Sequence, residues 1–324
     1  MRTLLAVDGG NSKTDVALVA EDGTVLATAR GGGFMPQSAG VGAAVDVVHD
    51  LVRQALGPGA EPVYADHMSA YLAGADLPVE EDALREEFEA RGFARHVTVG
   101  NDTFALLYAG ASGPWGVAVV CGAGINAVGV SPTGQVARFP ALGRMSGDFG
   151  GGLGLGEEAL WHAVRAEDGR GPQTALTEVV KAHFGASSVE QVVLDVHFGE
   201  IDEARLAELT PALLAVASSG DAVARRVVAQ QAEEITTMAE VCLRRLDLLD
   251  TPTEVVLGGG VLRARNPLLS SLLEATFAAR APQAKLVVAD APPILGSALS
   301  GLERMGAAPE ALDRLRAYYS VSLP

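Results

Sequence analysis

The chain repeats one arrangement of apolar segments and glycine turns at two places, and this repeat constrains the fold most. Residues 3–30 hold three short apolar segments, separated by turns at Gly9–Thr14 and Asp22-Gly23. Residues 115–134 run in the same order, with a glycine turn at Gly122–Gly124. Short apolar segments joined by such turns are typical of antiparallel strands. An internal repeat of this kind predicts two similar domains that face each other.

Outside the repeated segments, strand patterns alternate with helix patterns, which predicts an α/β fold. The further predicted elements are helix 40–57, strand 62–65, helix 79–91, strand 97–99, a helix from 104, helices within 157–249, strand 254–257, helix 267–280, strand 286–289, and helices 294–305 and 309–319. Residues 71–76 are predicted to form a loop. The glycine-dense stretch 139–156 is predicted to be irregular.

The first glycine turn has a composition suited to phosphate. Glycine lets the backbone approach a ligand closely, and the N–H groups of such a turn form a concave anion site. Hydroxyls and a cation add to this site, and the cation is one of only three lysines in the chain. The residues predicted to bind phosphate here are Gly9, Gly10, Asn11, Ser12, Lys13 and Thr14. An ordinary hairpin turn remains the alternative.

Two aspartates flank this turn. Asp8 ends a buried strand, where its carboxylate can hold a hydrated Mg²⁺ ion. Asp15, at the start of the second strand, is expected to face outward.

Composition narrows the class of protein. A chain of 324 residues with 48% hydrophobic residues suits about two domains with full cores. The net charge of −16 argues against nucleic acid and anionic membrane surfaces as partners, since both need basic patches. Cys121 and Cys242 stand far apart in apolar sequence, which predicts two buried thiols. With no signal segment and no membrane-spanning apolar run, a cytoplasmic location is expected.

Two more glycine turns follow apolar strands. They are Gly122-Ala123-Gly124 and Gly258-Gly259-Gly260. Three such turns, spread over two domains, can surround one polyphosphate ligand between the domains. The second turn also matches a dinucleotide-binding fingerprint, but that fingerprint must open a helix, and Ile125–Val130 has the pattern of a strand.

Asp102 and Asp148 are the carboxylates with the clearest chemical potential. Asp102 follows a strand and precedes a helix, so it is either a helix N-cap or a general base for a substrate hydroxyl. As a base it would accept a proton while the oxygen attacks a γ-phosphoryl group. Asp148 lies in a glycine loop, where it either binds sugar hydroxyls or belongs to a surface turn.

Taken together, these motifs resemble the BadF/BadG/BcrA/BcrD-type ATPase family, and within it the N-acetylglucosamine kinases of the actin, hexokinase and sugar kinase superfamily. LAVDGGNSKTDVALV is similar to the family's first phosphate motif, VCGAGINAVGV to its second and VVLGGGVL to its adenosine motif. VGNDTFALL resembles the catalytic-aspartate segment, and GDFGGG resembles the substrate loop. The similarity runs over nearly the whole chain, in the right order.

The resemblance implies two ribonuclease-H-like domains with a central nucleotide cleft, residues 1–112 and 113–308, with a helix at about 309–324 packing on the first. It implies ATP and Mg²⁺ as cofactors, Asp8 near the metal and Asp102 as the base. The three glycine turns would contact the phosphates and the adenosine. A small sugar would be the acceptor, and the protein would be a homodimer. The acceptor residues would be Gly147, Asp148, Gly150, Asn126, Met35 and Ala73.

Three positions depart from the pattern of N-acetylglucosamine kinases. Met35 stands where an asparagine is usual, Ala73 where a serine is usual, and Phe149 where a glutamate is usual. These changes remove polar contacts to a sugar. They motivate a second hypothesis, a regulatory or sensor ATPase without sugar kinase activity. A second branch of the family activates 2-hydroxyacyl-CoA dehydratases and shares an iron–sulfur cluster across a dimer. Such a cluster needs accessible thiolates, which Cys121 within a strand and Cys242 within a long helix are not expected to supply.

Overall fold

The computed structural model describes residues 1–321 and divides into two compact units. Among the described residues, unit 1 comprises Met1–Ala118, Val128–Pro140 and the segment 289–321, and unit 2 comprises Val119–Ala127 and Ala141–Val288. No helix within residues 1–321 is both long enough and apolar enough to cross a membrane.

The first part of the chain forms a five-stranded sheet with its helices. Its elements are β1 (Thr3–Gly9), β2 (Thr14–Ala20), β3 (Val25–Gly31), α1 (Pro36–Ala39), α2 (Val41–Leu56), β4 (Ala65–Leu72), α3 (Pro78–Ala90), β5 (Ala94–Asn101) and α4 (Asp102–Gly110). The strand order is β3-β2-β1-β4-β5. The strands β1, β2 and β3 pair antiparallel, whereas β4 runs parallel to both β1 and β5.

The second part of the chain repeats this topology. Its elements are β6 (Gly116–Cys121), β7 (Ile125–Val130), β8 (Val136–Arg138), a 3₁₀ turn (Gly143–Ser146), α5 (Gly151–Glu167), α6 (Leu176–Phe184), α7 (Val189–His197), a 3₁₀ helix (Glu203–Leu209), α8 (Thr210–Ser218), α9 (Ala222–Arg245), β9 (Thr253–Gly258), α10 (Gly260–Arg263), α11 (Pro267–Arg280), β10 (Ala284–Val288), α12 (Pro293–Arg304) and α13 (Pro309–Val321). The sheet order β10-β9-β6-β7-β8 matches the first sheet strand for strand, which confirms the predicted repeat.

The sheet of unit 1 is covered on both faces. Alternate residues of a strand point to opposite faces, so Leu5 and Val7 join one core while Leu4 and Ala6 join the other. The first core contains side chains of α2 and α3, including Val48 and Phe88. The second contains side chains of α12 and α13. The helices that end the chain therefore complete the unit that begins it.

Within unit 2, the long helix α9 packs against α8 and α11, and α5 packs against α6 and α8. Cys121 and Cys242 are free, buried thiols, as predicted. Burial raises the pKa of each thiol to about 12, so neither is a ready thiolate ligand for a cluster.

Three predictions about the fold need correction. The strand predicted at 62–65 lies instead at Ala65–Leu72, where it forms β4. Strand β4 is buried between two parallel neighbours, and such strands lack the alternation of apolar and polar residues that marks a half-exposed strand. Residues 151–156, which were predicted to be irregular, form the start of α5. Their glycines allow the helix to pack closely against its neighbours, since a Cβ on Gly156 would lie 1.9 Å from the carbonyl oxygen of Leu206. Close packing outweighs the low helix propensity of glycine.

The third correction concerns the domain boundaries. The sequence placed a boundary after residue 112 and assigned 113–308 to the second domain. Residues 113–118, 128–140 and 289–308 belong instead to unit 1. The last of these segments does so because α12 packs on β1 and α4. Helix α13 packs in the same core through Leu315 and Tyr319. Residues 322–324, which the sequence included in that last helix, lie outside the described residues.

Candidate active site

The first glycine turn is a closed structure with an exposed tip. The Gly10 N–H donates to the Lys13 carbonyl at 2.9 Å, and Asn11 and Ser12 are exposed at the tip. The Phe34 N–H donates to the Gly10 carbonyl at 2.9 Å, and a Cβ on Gly33 would lie 2.0 Å from the Asn11 carbonyl oxygen. Gly33 is therefore needed for the close approach of these two segments.

Two predicted acceptor residues lie beside this turn. Met35 follows the segment that touches the turn, and its side chain is 47% exposed. The Ala73 N–H donates to the Gly9 carbonyl at 2.6 Å, and Ala73 itself is buried. Both positions are thus adjacent to the turn, and neither brings a polar side chain to it.

The cations of the turn are held by Asp15, which was predicted to face outward. That prediction is wrong: Asp15 is only 6% exposed, because its carboxylate is bound by two cationic side chains. Arg30 Nε and Nη2 donate to the two oxygens of Asp15 at 2.6 and 3.1 Å. Lys13 Nζ lies 3.6 Å from Asp15 Oδ2. Arg30 is a second cation at the turn that the sequence reasoning missed. Thr14, which was predicted to bind phosphate with the other residues of the turn, is fully buried, whereas Asn11 and Ser12 are exposed.

Three carboxyl groups come together at one edge of the sheet in unit 1. Asp8 lies near the end of β1, Asp76 follows β4, and Asp102 follows β5. These three strands are parallel neighbours, with Asp8 in register with Tyr71 and Leu72 in register with Asn101, so their carboxyl ends meet at the same edge. Ligands of α/β sheets bind at this kind of edge.

Burial dominates the electrostatics of this cluster. Burial and, after it, the charges of Asp102 and Asp15 raise the pKa of Asp8 to about 8, against the opposing charges of Lys13 and Arg30. Burial also raises the pKa of Asp102 to about 6, against the hydrogen bonds from its neighbouring backbone N–H groups. A strongly perturbed carboxyl cluster marks a candidate functional site.

A divalent cation at this cluster would need waters or substrate phosphates as ligands beside the carboxylates. Within residues 1–321, no set of three or more His, Cys, Asp or Glu side chains is arranged to hold a metal ion. Mg²⁺ commonly keeps several waters and binds through one or two carboxylates plus substrate phosphates. Asp8, which is 7% exposed and next to the first glycine turn, could supply one carboxylate of such a partial coordination.

The N-cap of α4 is Asn101, not Asp102. The Asn101 Oδ1 atom accepts a hydrogen bond from the Thr103 N–H at 3.0 Å, which is the capping interaction. The structure therefore does not support the N-cap alternative for Asp102, whose role as a base stays a prediction. Asp102 is the first residue of the helix and stands at the edge where Asp8 lies.

In unit 2, the other two glycine turns and the start of α5 are in direct contact. The N–H groups of Gly152 and Leu153 donate to the carbonyls of Gly122 and Ala123 at 2.7 and 3.0 Å. A Cβ on Gly259, whose φ is +89°, would lie 2.3 Å from the Cys121 carbonyl oxygen. The two turns predicted to bind phosphate and adenosine, Gly122–Gly124 and Gly258–Gly260, are therefore neighbours within unit 2.

The predicted acceptor loop precedes α5 and is ordered by its own hydrogen bonds. Asp148 Oδ2 accepts from the Gly143 N–H at 3.0 Å and from Ser146 Oγ at 2.7 Å. Gly147 and Gly150 have φ values of +93° and +97°, which favour glycine. Gln231 of α9 accepts from the Gly151 N–H at 3.1 Å and so fixes the end of the loop. Asn126 accepts from the Ala127 N–H at 2.7 Å.

A sequence model of the BadF/BadG/BcrA/BcrD ATPase family matches residues 5–301. The chain belongs to this family. Among its relatives are an N-acetyl-D-glucosamine kinase of Dictyostelium discoideum, 24% identical over 92% of this chain and 97% of the relative, and an N-acetylmuramic acid/N-acetylglucosamine kinase of Clostridium acetobutylicum, 24% identical over 83% of this chain and 88% of the relative.

Solved structures agree with this family. A Chromobacterium violaceum protein named as an N-acetylglucosamine kinase superposes with a TM-score of 0.72 and 26% identity, covering 92% of this chain and 98% of that one. A ROK family glucokinase from Streptomyces griseus superposes with a TM-score of 0.56 and 17% identity, covering 93% and 99%. The family member described here therefore has the ribonuclease-H-like fold of actin-like sugar kinases, as its sequence predicted.

Sequence reasoning missed several residues of the site, among them Arg30 and Asp76. Arg30 lies on β3 opposite Asp15, and only the strand register reveals that pairing. Asp76 follows the buried strand β4, so a correct placement of that strand would have put it at the same edge as Asp8 and Asp102.

Proposed function

We propose that this protein is an ATP-dependent sugar kinase that phosphorylates a hydroxyl of N-acetylglucosamine or a related hexosamine. The observation that carries the proposal is the position of Asp102, at the sheet edge shared with Asp8 and without a role as helix cap. The family and the named activities of its relatives support the same reaction class.

The residues of unit 1 suit the phosphate side of the reaction. The exposed turn at Asn11 and Ser12 offers backbone N–H groups and a hydroxyl to phosphate, and Lys13 and Arg30 add positive charge held in place by Asp15. Asp8 would hold Mg²⁺, which would neutralise charge on the phosphates when bound. In unit 2, the turns at Gly122–Gly124 and Gly258–Gly260 would contact phosphate and adenosine.

Asp102 would act as the base. The acceptor hydroxyl oxygen forms a bond to the γ-phosphorus, the bond from that phosphorus to the β–γ bridging oxygen breaks, and ADP leaves. The hydroxyl proton passes to the Asp102 carboxylate. With a pKa of about 6, Asp102 is mostly ionised at neutral pH and able to accept it. Burial thus makes this carboxylate a stronger base than an exposed aspartate.

The acceptor side of the proposal assigns Gly147, Asp148, Gly150 and Asn126 to sugar contacts. Asp148 supports this assignment because its loop already fixes the carboxylate. Met35 and Ala73 would line the site with apolar surface, which favours an acceptor with an apolar substituent over one that is polyhydroxylated throughout. A homodimer in the cytoplasm completes the proposal, and light scattering of the purified protein would test the dimer.

A screen of sugars and amino sugars with ATP and Mg²⁺, followed by ADP release and mass spectrometry of the products, tests the function. Phosphorylation of a hexosamine would support the proposal, with Asp102→Asn as the inactive reference. ATP binding without transfer to any acceptor would favour the sensor ATPase instead. That alternative is motivated by Met35 and Ala73, which bring no polar side chain to the acceptor side.

A further inference from the structure

The loop after β4 places a third carboxylate next to the helix that carries Asp102. Asn101 Nδ2 donates to Asp76 Oδ1 at 2.8 Å, while Asn101 Oδ1 accepts from the Thr103 N–H at 3.0 Å. A single side chain therefore links Asp76 to the first turn of α4. Asn101 is 2% exposed, so water cannot readily replace the Asp76 oxygen as its partner.

The loop itself is held from both sides. Glu80 Oε2 accepts from the N–H groups of Asp76 and Leu77 at 3.0 and 2.9 Å. Arg138 of β8 donates to the Asp76 carbonyl and, at 2.9 Å, to Glu81 Oε1. These bonds fix the backbone around Asp76, so the direction of its carboxylate is set by the fold rather than by a mobile surface turn.

The electrostatics of Asp76 agree with a role at the site. Burial and, after it, the charges of Asp102 and Glu80 raise the pKa of Asp76 to about 7, against the opposing effects of Arg138 and Asn101. The carboxylate of Asp76 therefore lies close enough to Asp102 to interact with its charge, and its hydrogen bond goes to Asn101, the residue that directly precedes Asp102.

We propose that Asp76 is a positioning residue for Asp102, which it orients through Asn101; the proposal rests on the kinase reaction assigned above. The Asp76 oxygen fixes the Asn101 carboxamide, the carboxamide caps α4, and the cap sets the first turn of the helix. The base carboxylate belongs to that turn. Loss of the Asp76 oxygen lets the turn shift, and a misplacement of about 1 Å costs on the order of 100-fold in rate.

Three variants separate this role from general loss of structure. Asp76→Ala removes the acceptor oxygen, Asp76→Asn keeps an acceptor oxygen and removes the charge, and Asp82→Ala removes an exposed carboxylate of α3 that pairs with Arg85. We expect Asp76→Ala to lower kcat by about 10- to 100-fold, with KM for ATP within about twofold of the parent because the phosphate turn is untouched. Asp76→Asn should recover kcat to within about fivefold, since the hydrogen bond is restored.

Hydrogen exchange supplies a readout that does not depend on kinase activity. Amide exchange in peptides covering 101–107 should speed up by about 10-fold in Asp76→Ala, and remain at the parent rate in Asp76→Asn and Asp82→Ala. If Asp76→Ala does not fold, Asp76→Ser serves in its place, because a shorter hydroxyl cannot reach Asn101.

Two outcomes would overturn the proposal. One is exchange and kcat at the parent values in Asp76→Ala. The other is an Asp76→Asn protein as impaired as Asp76→Ala, which would assign the effect to charge instead of to the hydrogen bond. A parent protein that phosphorylates no sugar would refute the kinase function alone, since the exchange measurement would still decide whether Asp76 orders the first turn of α4.

Discussion

Replacing Asp102 with asparagine is expected to slow phosphoryl transfer by at least about 100-fold and, at the same time, to stabilise the fold. The amide has nearly the shape of the carboxylate and can still accept hydrogen bonds from the backbone, but it cannot take a proton. General base catalysis contributes about 10²- to 10⁴-fold, which corresponds to about 3 to 5.5 kcal/mol of the activation barrier. We therefore expect kcat to fall by that factor, with ATP affinity retained.

The gain in stability follows from the pKa of Asp102. In the folded protein this pKa is about 6, against a reference of 3.8 for an exposed aspartate. A difference of about two pKa units at about 1.4 kcal/mol each gives up to about 3 kcal/mol. Because the folded pKa is the higher one, the free energy of unfolding is greatest below pH 3.8 and falls as pH rises toward and through 6. At about pH 8 the whole loss of about 3 kcal/mol has taken place. Asparagine does not titrate and avoids the penalty.

Urea unfolding of the parent and of Asp102→Asn, without nucleotide or metal, measures this effect at two pH values. The variant should be more stable by up to about 3 kcal/mol at about pH 8, and by roughly half of that at about pH 5. Asp82→Asn, at an exposed site on α3, should change neither stability nor turnover. Undiminished turnover of Asp102→Asn would refute the base role, and a variant less stable than the parent at pH 8 would refute the argument from burial.

Three further predictions concern the same site. Lys13→Ala should raise KM for ATP by about 10- to 100-fold, which is the effect of losing one or two charge-assisted hydrogen bonds. The control Lys285→Ala, at an exposed residue of β10, should leave KM unchanged, and equal KM values for the two variants would remove Lys13 from the phosphate site. Gly259→Ala should lower the free energy of unfolding in urea by more than Gly134→Ala does. Both glycines have positive φ values, +89° and +83°, but of the two only Gly259 lacks room for a Cβ. Equal losses of stability would contradict the contact between Gly259 and the second glycine turn. The acid limb of kcat/KM should have an apparent pKa near 6, since the base acts only when ionised, and activity that stays flat well below that pH would exclude Asp102.

Local patterns in the sequence predicted the elements whose formation depends on local residues. The strands and turns of the two repeats follow from apolar segments bounded by glycine, and α11 begins at Pro267 and ends at Arg280 as predicted. The free, buried cysteines follow from their apolar surroundings in the same way. Signals of this kind need only a few neighbouring residues, so they can be read without knowing how the chain folds back on itself.

Features set by distant residues could not be predicted in this way. Asp15 is buried because Arg30 on the next strand binds it, and the helix at 151–156 exists because Gly122 and Ala123 accept its first N–H groups. The identity of the N-cap of α4 depended on the side chain of Asn101, which takes the capping position one residue before Asp102. In each case, a long-range or neighbouring hydrogen bond decides between two structures that the local pattern allows equally.

The helices α12 and α13, which cover one face of the first sheet, have a consequence for biosynthesis. Translation produces β1 and β2 well before α12 and α13, whose side chains bury Leu4 and Ala6. Until those two helices emerge, that face of the nascent sheet lacks most of the side chains that cover it in the folded unit. We therefore expect a product truncated before α12 to expose this apolar face to chaperones and proteases.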